Sequence, residues 1–335
     1  MSQGTIFTKT QYGGQASAFE TETTGYTELP RVQSIDIKAR NNFIYDRGLG
    51  EGTNPVATYL GPVEADGTMD FFLTPSGIDF LKYWVGPKSG TEGTVGDPYT
   101  LTEGNTYSLS TSSGIQAFSV EKLNDIESTN SVTAAIGCCG TTLSISGERG
   151  SRIKCNANFI ARNTLYRPTG ESYTPVTESS FVMINGTWKW GATPSALSGV
   201  REFSINYENK PSDNNRDGNS RFISQPHLSE RNIKGRVGIV MASSLATTII
   251  SNFYGKEASG TYSPADGSVA IIPTENLEFK IELVNGSQYA NIWLDHCSID
   301  DLSEPMSLGG GIVILYFDFT ARQSKANEFI KWWSV

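Results

Sequence analysis

The chain has few of the residues on which most catalytic and metal sites depend. It contains two histidines and four cysteines among 335 residues. No CxxC pair occurs and Cys138 directly precedes Cys139, so neither a zinc site nor a disulfide framework is predicted. GxSxG and HExxH motifs are missing, and the glycine-rich segments Gly48–Gly52 and Gly309–Gly311 do not have the form of a phosphate-binding loop. We therefore expect no catalytic residues, no metal and no cofactor.

Charged residues and long apolar runs are also scarce. Charged residues make up 18% of the chain, and the net charge is −9. This acidic balance argues against a protein that grips nucleic acid, which needs clustered cations. The longest strongly apolar run is Ile312–Phe317, whereas a membrane helix needs about 20 such residues. We expect a buried strand there and no membrane insertion, and the N-terminus shows no signal-peptide pattern.

The residues that are abundant indicate a folded, β-rich chain. Aromatic residues make up 11% of the sequence, and 34 glycines supply turns. Alternating patterns predict strands at Val32–Ala39, Thr68–Leu73, Ile115–Lys122, Thr141–Ser146 and Arg152–Arg162, with counterparts at Val200–Tyr207, Arg236–Met241, Leu277–Val284, Ser298–Leu302 and Gly311–Arg322. An apolar stripe predicts a short helix over Ser76–Val85. Two Asn-Gly pairs predict hairpin turns, at Asn185-Gly186 between Phe181–Ile184 and Thr187–Trp190, and at Asn285-Gly286.

The chain reads as two similar halves. Four segments of the first half recur in the second, in the same order and at an offset of roughly 160 to 170 residues. The pairs are Val32–Ile37 with Val200–Ile205, Pro75–Gly86 with Ser244–Gly255, Phe118–Glu121 with Phe279–Glu282, and Asn158–Arg162 with Asp318–Arg322. We therefore predict two tandem copies of one β domain, residues 1–169 with an N-terminal arm and residues 170–335.

Two long polar stretches, Arg40–Gly61 and Asn206–His227, show no periodicity and take the same place in each half. Loops of this length in a compact domain are usually functional or disordered. They are therefore either mobile surface loops or segments that reach a neighbouring molecule.

Other polar and aromatic residues leave alternatives open. The carboxylates Glu64, Asp66, Asp70, Asp300 and Asp301 could include a glycosidase-like pair, although a solvated acidic face explains them as well. Trp188 and Trp190 share one face of a predicted strand, as sugar-stacking aromatics would, but they could equally cover a core or a subunit contact.

A series of short segments runs in order along nearly the whole chain. They are Thr10–Gly13 in an N-terminal arm, Arg47–Gly50, the helix Ser76–Val85, the strand Phe118–Glu121, Asn156–Ile160 and Ser180–Gly191. This series resembles the tail tube proteins of tailed phages and archaeal viruses in their duplicated, two-domain form. The second half departs from the first, because it has Arg216–Asn219 in a loop comparable to Arg47–Gly50.

The resemblance implies a mainly β fold of two tandem β-sandwich or barrel domains, each with one short flanking α-helix. It implies a structural virion protein, a major tail tube subunit whose rings stack into a hollow conduit for DNA delivery. Two domains in each chain imply that three chains close a ring with pseudo-sixfold symmetry. The candidate residues for contacts between rings are Arg47, Gly48, Leu49, Gly50, Arg216, Asp217 and Gly218.

The implied partners are other copies of the chain, the tape-measure, terminator and baseplate proteins, and a sheath protein where the tail is contractile. Genomic DNA would pass through without specific binding, and the acidic net charge agrees with this because cations at the wall would bind phosphate. The implied location is the virion tail, after synthesis in the host cytoplasm. Two alternatives remain: a carbohydrate-binding or adhesive β-sandwich module, and another tail or baseplate component.

Overall fold

A computed structural model describes residues 7–14, 18–46, 57–109, 114–126, 129–212, 220–223, 226–241, 248–250, 252–253, 276–303 and 313–335. The strands before residue 170 are β1 (Phe7–Gly14), β2 (Tyr26–Glu28), β3 (Val32–Asp46), β4 (Ala57–Phe72), β5 (Lys88–Ser89), β6 (Tyr99–Thr102), β7 (Tyr107–Ser108), β8 (Ile115–Gln116), β9 (Phe118–Ile126), β10 (Thr129–Glu148), β11 (Lys154–Ala161) and β12 (Asn163–Arg167). Helices α1 (Pro75–Phe80) and α2 (Lys82–Val85) lie between β4 and β5.

The strands after residue 170 are β13 (Tyr173–Thr174), β14 (Thr187–Gly191), β15 (Ser195–Leu197), β16 (Val200–Pro211), β17 (Leu228–Val240), β18 (Leu277–Asn285), β19 (Gln288–Ser303), β20 (Ile314–Ser324) and β21 (Glu328–Ser334). Single 3-10 turns occur at Met183–Asn185 and Lys325–Asn327. Residues 248–250 and 252–253 are helical.

One continuous antiparallel sheet spans both halves, and we call it the long sheet. Its strand order is β3–β4–β11–β10–β16–β17–β20–β19, with the C-terminal parts of β10 and β19 taking part. The pairing of β10 with β16 joins the halves. Four strands on either side of this pairing therefore form a single surface.

Shorter outer layers pack against the long sheet. In the first half, β2, β1, β9, the N-terminal part of β10 and β12 pair in that order. In the second half, β15, β14, β18, the N-terminal part of β19 and β21 do the same, and β21 also pairs with β6. Because β10 and β19 each belong to both layers, each half has the form of a sandwich closed along one side.

The same pairings therefore recur in residues 187–334, with β14 and β15 in the places of β1 and β2, β16 and β17 in those of β3 and β4, and β18 to β21 in those of β9 to β12. The predicted domain boundary at residue 170 stays a prediction.

Aromatic side chains fill the core between the layers. Helix α1 starts with Pro75, and its N-terminal backbone is capped by the Thr74 hydroxyl, which accepts a hydrogen bond from Gly77 N at 2.9 Å. The helix brings Phe80 into the core, where its ring centroid lies 5.0 Å from that of Trp84. In the second half, Trp190 packs against two phenylalanines on β20. Buried residues of both halves form one cluster, so the halves share a continuous core.

In each half, a glycine on one strand lies directly opposite a phenylalanine on the paired strand, at corresponding positions of the long sheet. Gly67 on β4 lies opposite Phe159 on β11, and a Cβ atom at Gly67 would meet that ring at 2.2 Å. Gly235 on β17 lies opposite Phe319 on β20, and a Cβ atom there would meet the ring at 2.1 Å. Each ring therefore occupies the space that a side chain at the glycine would need.

Most sequence-based expectations about the elements are confirmed. The fold is mainly β, of the sandwich type, with short helices. Helical residues occur at both predicted places, and Asn285-Gly286 lies in the turn between β18 and β19. The apolar run Ile312–Phe317 lies largely in β20, and its first residue, Ile312, lies outside the described residues. Gly255, the predicted end of the second helical segment, also lies outside them.

Two expectations were wrong. Asn185-Gly186 does not form a hairpin, because Met183–Asn185 makes a 3-10 turn and β14 pairs with β15 and β18 instead. The stretches Arg40–Gly61 and Asn206–His227 are not loops over their whole length, because β3 continues to Asp46, β4 begins at Ala57 and β16 continues to Pro211. Backbone pairing between β3 and β4 extends their hairpin where the side chains show no alternation.

Candidate functional site: the polar face and open edges of the long sheet

One face of the long sheet carries polar side chains across its full width. Opposite residues share a face in antiparallel strands, so the register defines a row that crosses every strand. One such row is Ser34, Asp70, Asn156, Ser144, Asn206, Lys234, Thr320 and Ser298. The residues between these positions point to the aromatic core. Because side chains alternate between the two faces of each strand, the long sheet has one buried apolar face and one polar face that meets water, along strands from both halves.

Hydrogen bonds between neighbouring strands organise this polar face. The Asp70 carboxylate accepts hydrogen bonds from the Ser34 hydroxyl at 2.6 Å and from Asn156 Nδ2 at 2.7 Å. Asn158 Nδ2 donates to Thr142 Oγ1 at 2.6 Å. Polar groups satisfied by one another in this way present an ordered surface to water.

Acidic side chains outnumber basic ones on the polar face. The acidic residues are Asp36, Glu64, Asp66, Asp70, Glu148, Glu202, Glu208, Glu230, Asp300, Asp301 and Asp318. The basic residues are Lys38, Arg40, Lys154, Lys210, Lys234, Arg236 and Arg322. Lys38 Nζ lies 2.8 Å from Asp36 Oδ2, and Arg236 Nε lies 3.7 Å from Asp318 Oδ1, so part of the positive charge is neutralised locally. The surface that remains is acidic.

Two titratable groups on this face respond to its charge. The hydrogen bond that Lys38 donates to the Asp36 carboxylate raises the pKa of Lys38, so this lysine keeps its charge near neutral pH. Partial burial and the nearby Glu202 carboxylate raise the pKa of Tyr316, so its phenol stays neutral. Neither shift creates a proton donor or acceptor that titrates near pH 7.

The carboxylates that could have included a glycosidase-like pair all lie on this acidic face. They are Glu64, Asp66, Asp70, Asp300 and Asp301. Arg40 lies opposite Glu64 and Lys38 opposite Asp66 in the β3–β4 ladder. These carboxylates are spread along the sheet rather than gathered in a cleft, which favours a solvated acidic surface.

The cysteines lie in the interior, where burial raises the pKa of the Cys138, Cys139, Cys155 and Cys297 thiols. In the part of the chain that the structure describes, no group of His, Cys, Asp and Glu side chains is placed to hold a metal ion.

The tryptophans proposed as a sugar platform are core residues. Trp188 and Trp190 do share a face, but both are buried. The Trp188 ring lies 5.9 Å from that of Phe203, and Trp190 lies 5.0 Å from Phe317. A stacking platform must be open to its ligand, so these residues give no support to a carbohydrate-binding module.

The long sheet ends in two open edges. Among the described residues, β3 pairs only with β4, and residues 298–303 of β19 pair only with β20. Unpaired backbone N–H and C=O groups at such edges are templates for another strand. In the described structure, the polar face therefore extends to both edge strands, and no further strand pairs with either of them.

The tip of the β3–β4 hairpin carries exposed apolar side chains, and we call it the aromatic ribbon, formed by Phe43, Ile44, Tyr45, Tyr59 and Leu60. Phe43 lies opposite Leu60 and Ile44 opposite Tyr59. Exposed fractions range from 47% for Phe43 to 61% for Leu60. Sequence reasoning missed this feature, although the apolar triplet Phe43–Tyr45 inside a polar stretch was a visible signal. Clustered exposed apolar residues mark interaction surfaces.

The predicted loop residues Arg47, Gly48, Leu49, Gly50, Arg216, Asp217 and Gly218 lie outside the described residues. Part of the second stretch is described, and it packs on the base of the aromatic ribbon. Arg221 Nε donates to Gly61 O at 2.9 Å, and Val63 N donates to Arg221 O at 2.8 Å. The second stretch therefore supports the first hairpin from inside the same chain.

Comparison with known proteins gives a family for this architecture. Within the described residues, no helix combines the length and apolar character needed to cross a membrane. A search of curated proteins finds no match. The family described as phage tail tube protein matches residues 5–321, which is nearly the whole chain. The chain therefore belongs to the phage tail tube protein family, whose members are structural proteins of the virion tail.

Proposed function

We propose that the chain is the major subunit of a tail tube, in which three chains close a pseudo-sixfold ring and rings stack into a conduit for DNA. The observation that carries this proposal is the long sheet, with its acidic face and, in the described part of the chain, an open edge at each end. A sheet with two open ends gains stability by pairing head to tail with copies of itself, and a closed ring leaves no free edge.

The repeated pairing pattern supports the proposed number of chains. We infer that residues 1–169 and 170–335 are two copies of one tube domain, because the strands of residues 187–334 repeat the pairings of the first half. The pairing of β10 with β16 is then a joint between neighbouring domains. Six such domains need three chains.

The expected bore agrees with a duplex conduit. If each domain contributes four strands to the wall, the ring holds about 24 strands. At a spacing of roughly 4.8 Å and a tilt of about 40°, such a wall closes at roughly 45–50 Å between backbones. Duplex DNA fits inside this width after side chains are added.

The polar face suits the inner wall of such a conduit. Its carboxylates outnumber its cations, and its hydroxyl and amide groups bond to one another. Phosphates are repelled by such a surface, whereas clustered cations would bind DNA and slow its exit. DNA would therefore pass without specific binding.

Stacking needs contacts between rings, and we assign them to the hairpin tips. The aromatic ribbon supplies exposed apolar area, and the loop residues Arg47–Gly50 and Arg216–Gly218 remain candidates beside it. The tape-measure, terminator and baseplate proteins would meet the ends of the stack, and a sheath protein would surround it in a contractile tail.

Electron microscopy of the purified full chain at high concentration tests this function. The expected result is rings with an open centre that stack into tubes. A chain that remains a monomer up to millimolar concentration overturns the proposal, because its open edges would then need no partner.

A further inference from the structure

The two halves are joined inside the chain by one fully described pair of strands. β10 and β16 pair from Thr142 opposite Glu208 to Glu148 opposite Glu202. This pairing covers the edge of each half and makes the long sheet continuous. It therefore shows, residue by residue, how one half adds to the next.

The strands at the two ends of the long sheet correspond to the strands in this joint. β19 corresponds to β10, because each pairs with its neighbour through a one-residue bulge, at Asp300 and at Thr141 respectively. β3 corresponds to β16, because each pairs with a strand whose glycine faces a phenylalanine ring, Gly67 in one case and Gly235 in the other.

These shared markers set the correspondence of single residues. Thr142 and Asp301 each directly follow the bulge. Glu208 and Arg40 each lie three residues beyond the residue that faces the glycine. Thr142 opposite Glu208 in the internal joint thus corresponds to Asp301 and Arg40 at the two ends of the sheet.

We propose that the β19 edge of one chain pairs antiparallel with the β3 edge of a second copy in this same register. Asp301 then lies opposite Arg40, Leu302 opposite Ala39 and Ser303 opposite Lys38. This inference rests on the proposed function and names its chain-to-chain contact.

The charges of Asp301 and Arg40 favour this pairing. Asp301 and Arg40 carry opposite charges on the same polar face, and neither has an ion-pair partner among the described residues. Oppositely charged residues directly across two strands stabilise the pair, and like charges destabilise it. β16 is already paired on both sides, with β10 and with β17, so β3 is the strand edge that a second copy's β19 can reach. The opposite charges of Asp301 and Arg40 then stabilise that contact.

An asparagine on β3 supports the same register. On β16, Asn209 is 1% exposed, and its Nδ2 donates to Trp84 O at 2.6 Å across the internal joint. The corresponding residue on β3 is Asn41, which is exposed, and its Nδ2 has no partner among the described residues. In the assembled ring Asn41 would make the equivalent contact with the neighbouring chain.

Disulfide cross-linking of assembled full-length protein tests the register. Ser303→Cys with Lys38→Cys in one chain should give covalent dimers and trimers on a non-reducing gel after mild oxidation. The two positions lie at opposite ends of a sheet about 34 Å wide, at roughly 4.8 Å per strand, so a bond within one chain is excluded. The native cysteines are buried and should not contribute.

The matched control is Ser303→Cys with Ser34→Cys, four residues further along the same face of β3. It should give no more cross-linked product than either single variant. Rings that form but cross-link equally in both pairs, or in neither, overturn the register and leave the proposed function standing. A wild-type chain that forms no rings overturns both.

A charge exchange gives a second measurement that does not depend on cysteine chemistry. Arg40→Asp or Asp301→Arg alone should weaken each contact between chains, and so raise the protein concentration needed for half-maximal assembly by roughly fivefold per contact. The two changes together should restore assembly towards the wild-type value. If the double variant assembles no better than the single variants, the proposed contact between these residues is wrong.

Discussion

At the scale of single residues, the long sheet depends on two close contacts between a glycine and a phenylalanine ring. Gly67 and Gly235 leave room for the rings of Phe159 and Phe319. The two glycines should therefore tolerate no side chain. Gly67→Ala and Gly235→Ala should each lower the free energy of unfolding by about 1–3 kcal/mol, because overpacking displaces a buried ring. Urea denaturation followed by tryptophan fluorescence measures this.

Gly96→Ala is the control for both variants. A Cβ atom at Gly96 meets nothing within 4 Å, and its φ is not positive, so this change should leave the stability nearly unaltered. If Gly67→Ala were as stable as Gly96→Ala, the Phe159 ring would have room to move, and the close contact between Gly67 and Phe159 would not be required for stability.

Sequence reasoning paired Asn158–Arg162 with Asp318–Arg322 and so placed both phenylalanines correctly in strands. It did not reveal their glycine partners. Gly67 and Phe159 are far apart in the sequence and meet only through the β4–β11 register, which depends on the whole sheet.

At the scale of elements, the β3–β4 hairpin shows why the polar stretches were misread. Asparagines and exposed apolar residues break the alternation after Ala39, yet backbone pairing with β4 continues to Asp46. Similarly, the Asn-Gly signal failed at Asn185-Gly186, because β14 found its partner in β18, a strand remote in sequence. Local patterns predicted strands that have one buried face and missed pairing that tertiary contacts decide.

The aromatic ribbon should be required for stacking and not for folding or ring closure. Phe43→Ser, Tyr45→Ser and Leu60→Ser combined should give separate rings instead of tubes, because these exposed side chains support only contacts between molecules. Electron microscopy counts rings and tubes, and far-ultraviolet circular dichroism checks the fold.

The second-half hairpin offers the matching control. Lys210 and Glu230 form an exposed ion pair at 3.0 Å on β16 and β17. Lys210→Ser with Glu230→Ser should leave tube formation unchanged, since an exposed pair contributes little. Tubes of normal length from the ribbon variant would place the stacking contact elsewhere.

At the scale of the whole molecule, the sequence indicated the β-rich class and an acidic net charge, and it predicted a repeat. It could not say which carboxylates share a face, because that depends on register across strands from both halves. Asp36 and Asp70 share a face through the β3–β4 pairing, and Asp318 joins the same surface only because β10 pairs with β16. The fold was therefore largely predictable, while the candidate site emerged from long-range pairing.

The central claim is that one chain supplies two of six wall positions through complementary open edges. Native mass spectrometry of isolated rings from the stacking-deficient ribbon variant tests it most directly, because this variant should keep both edges intact. The account predicts a closed species of three chains and no larger ring. A ring of six chains, or a stable monomer with no ring, would contradict it.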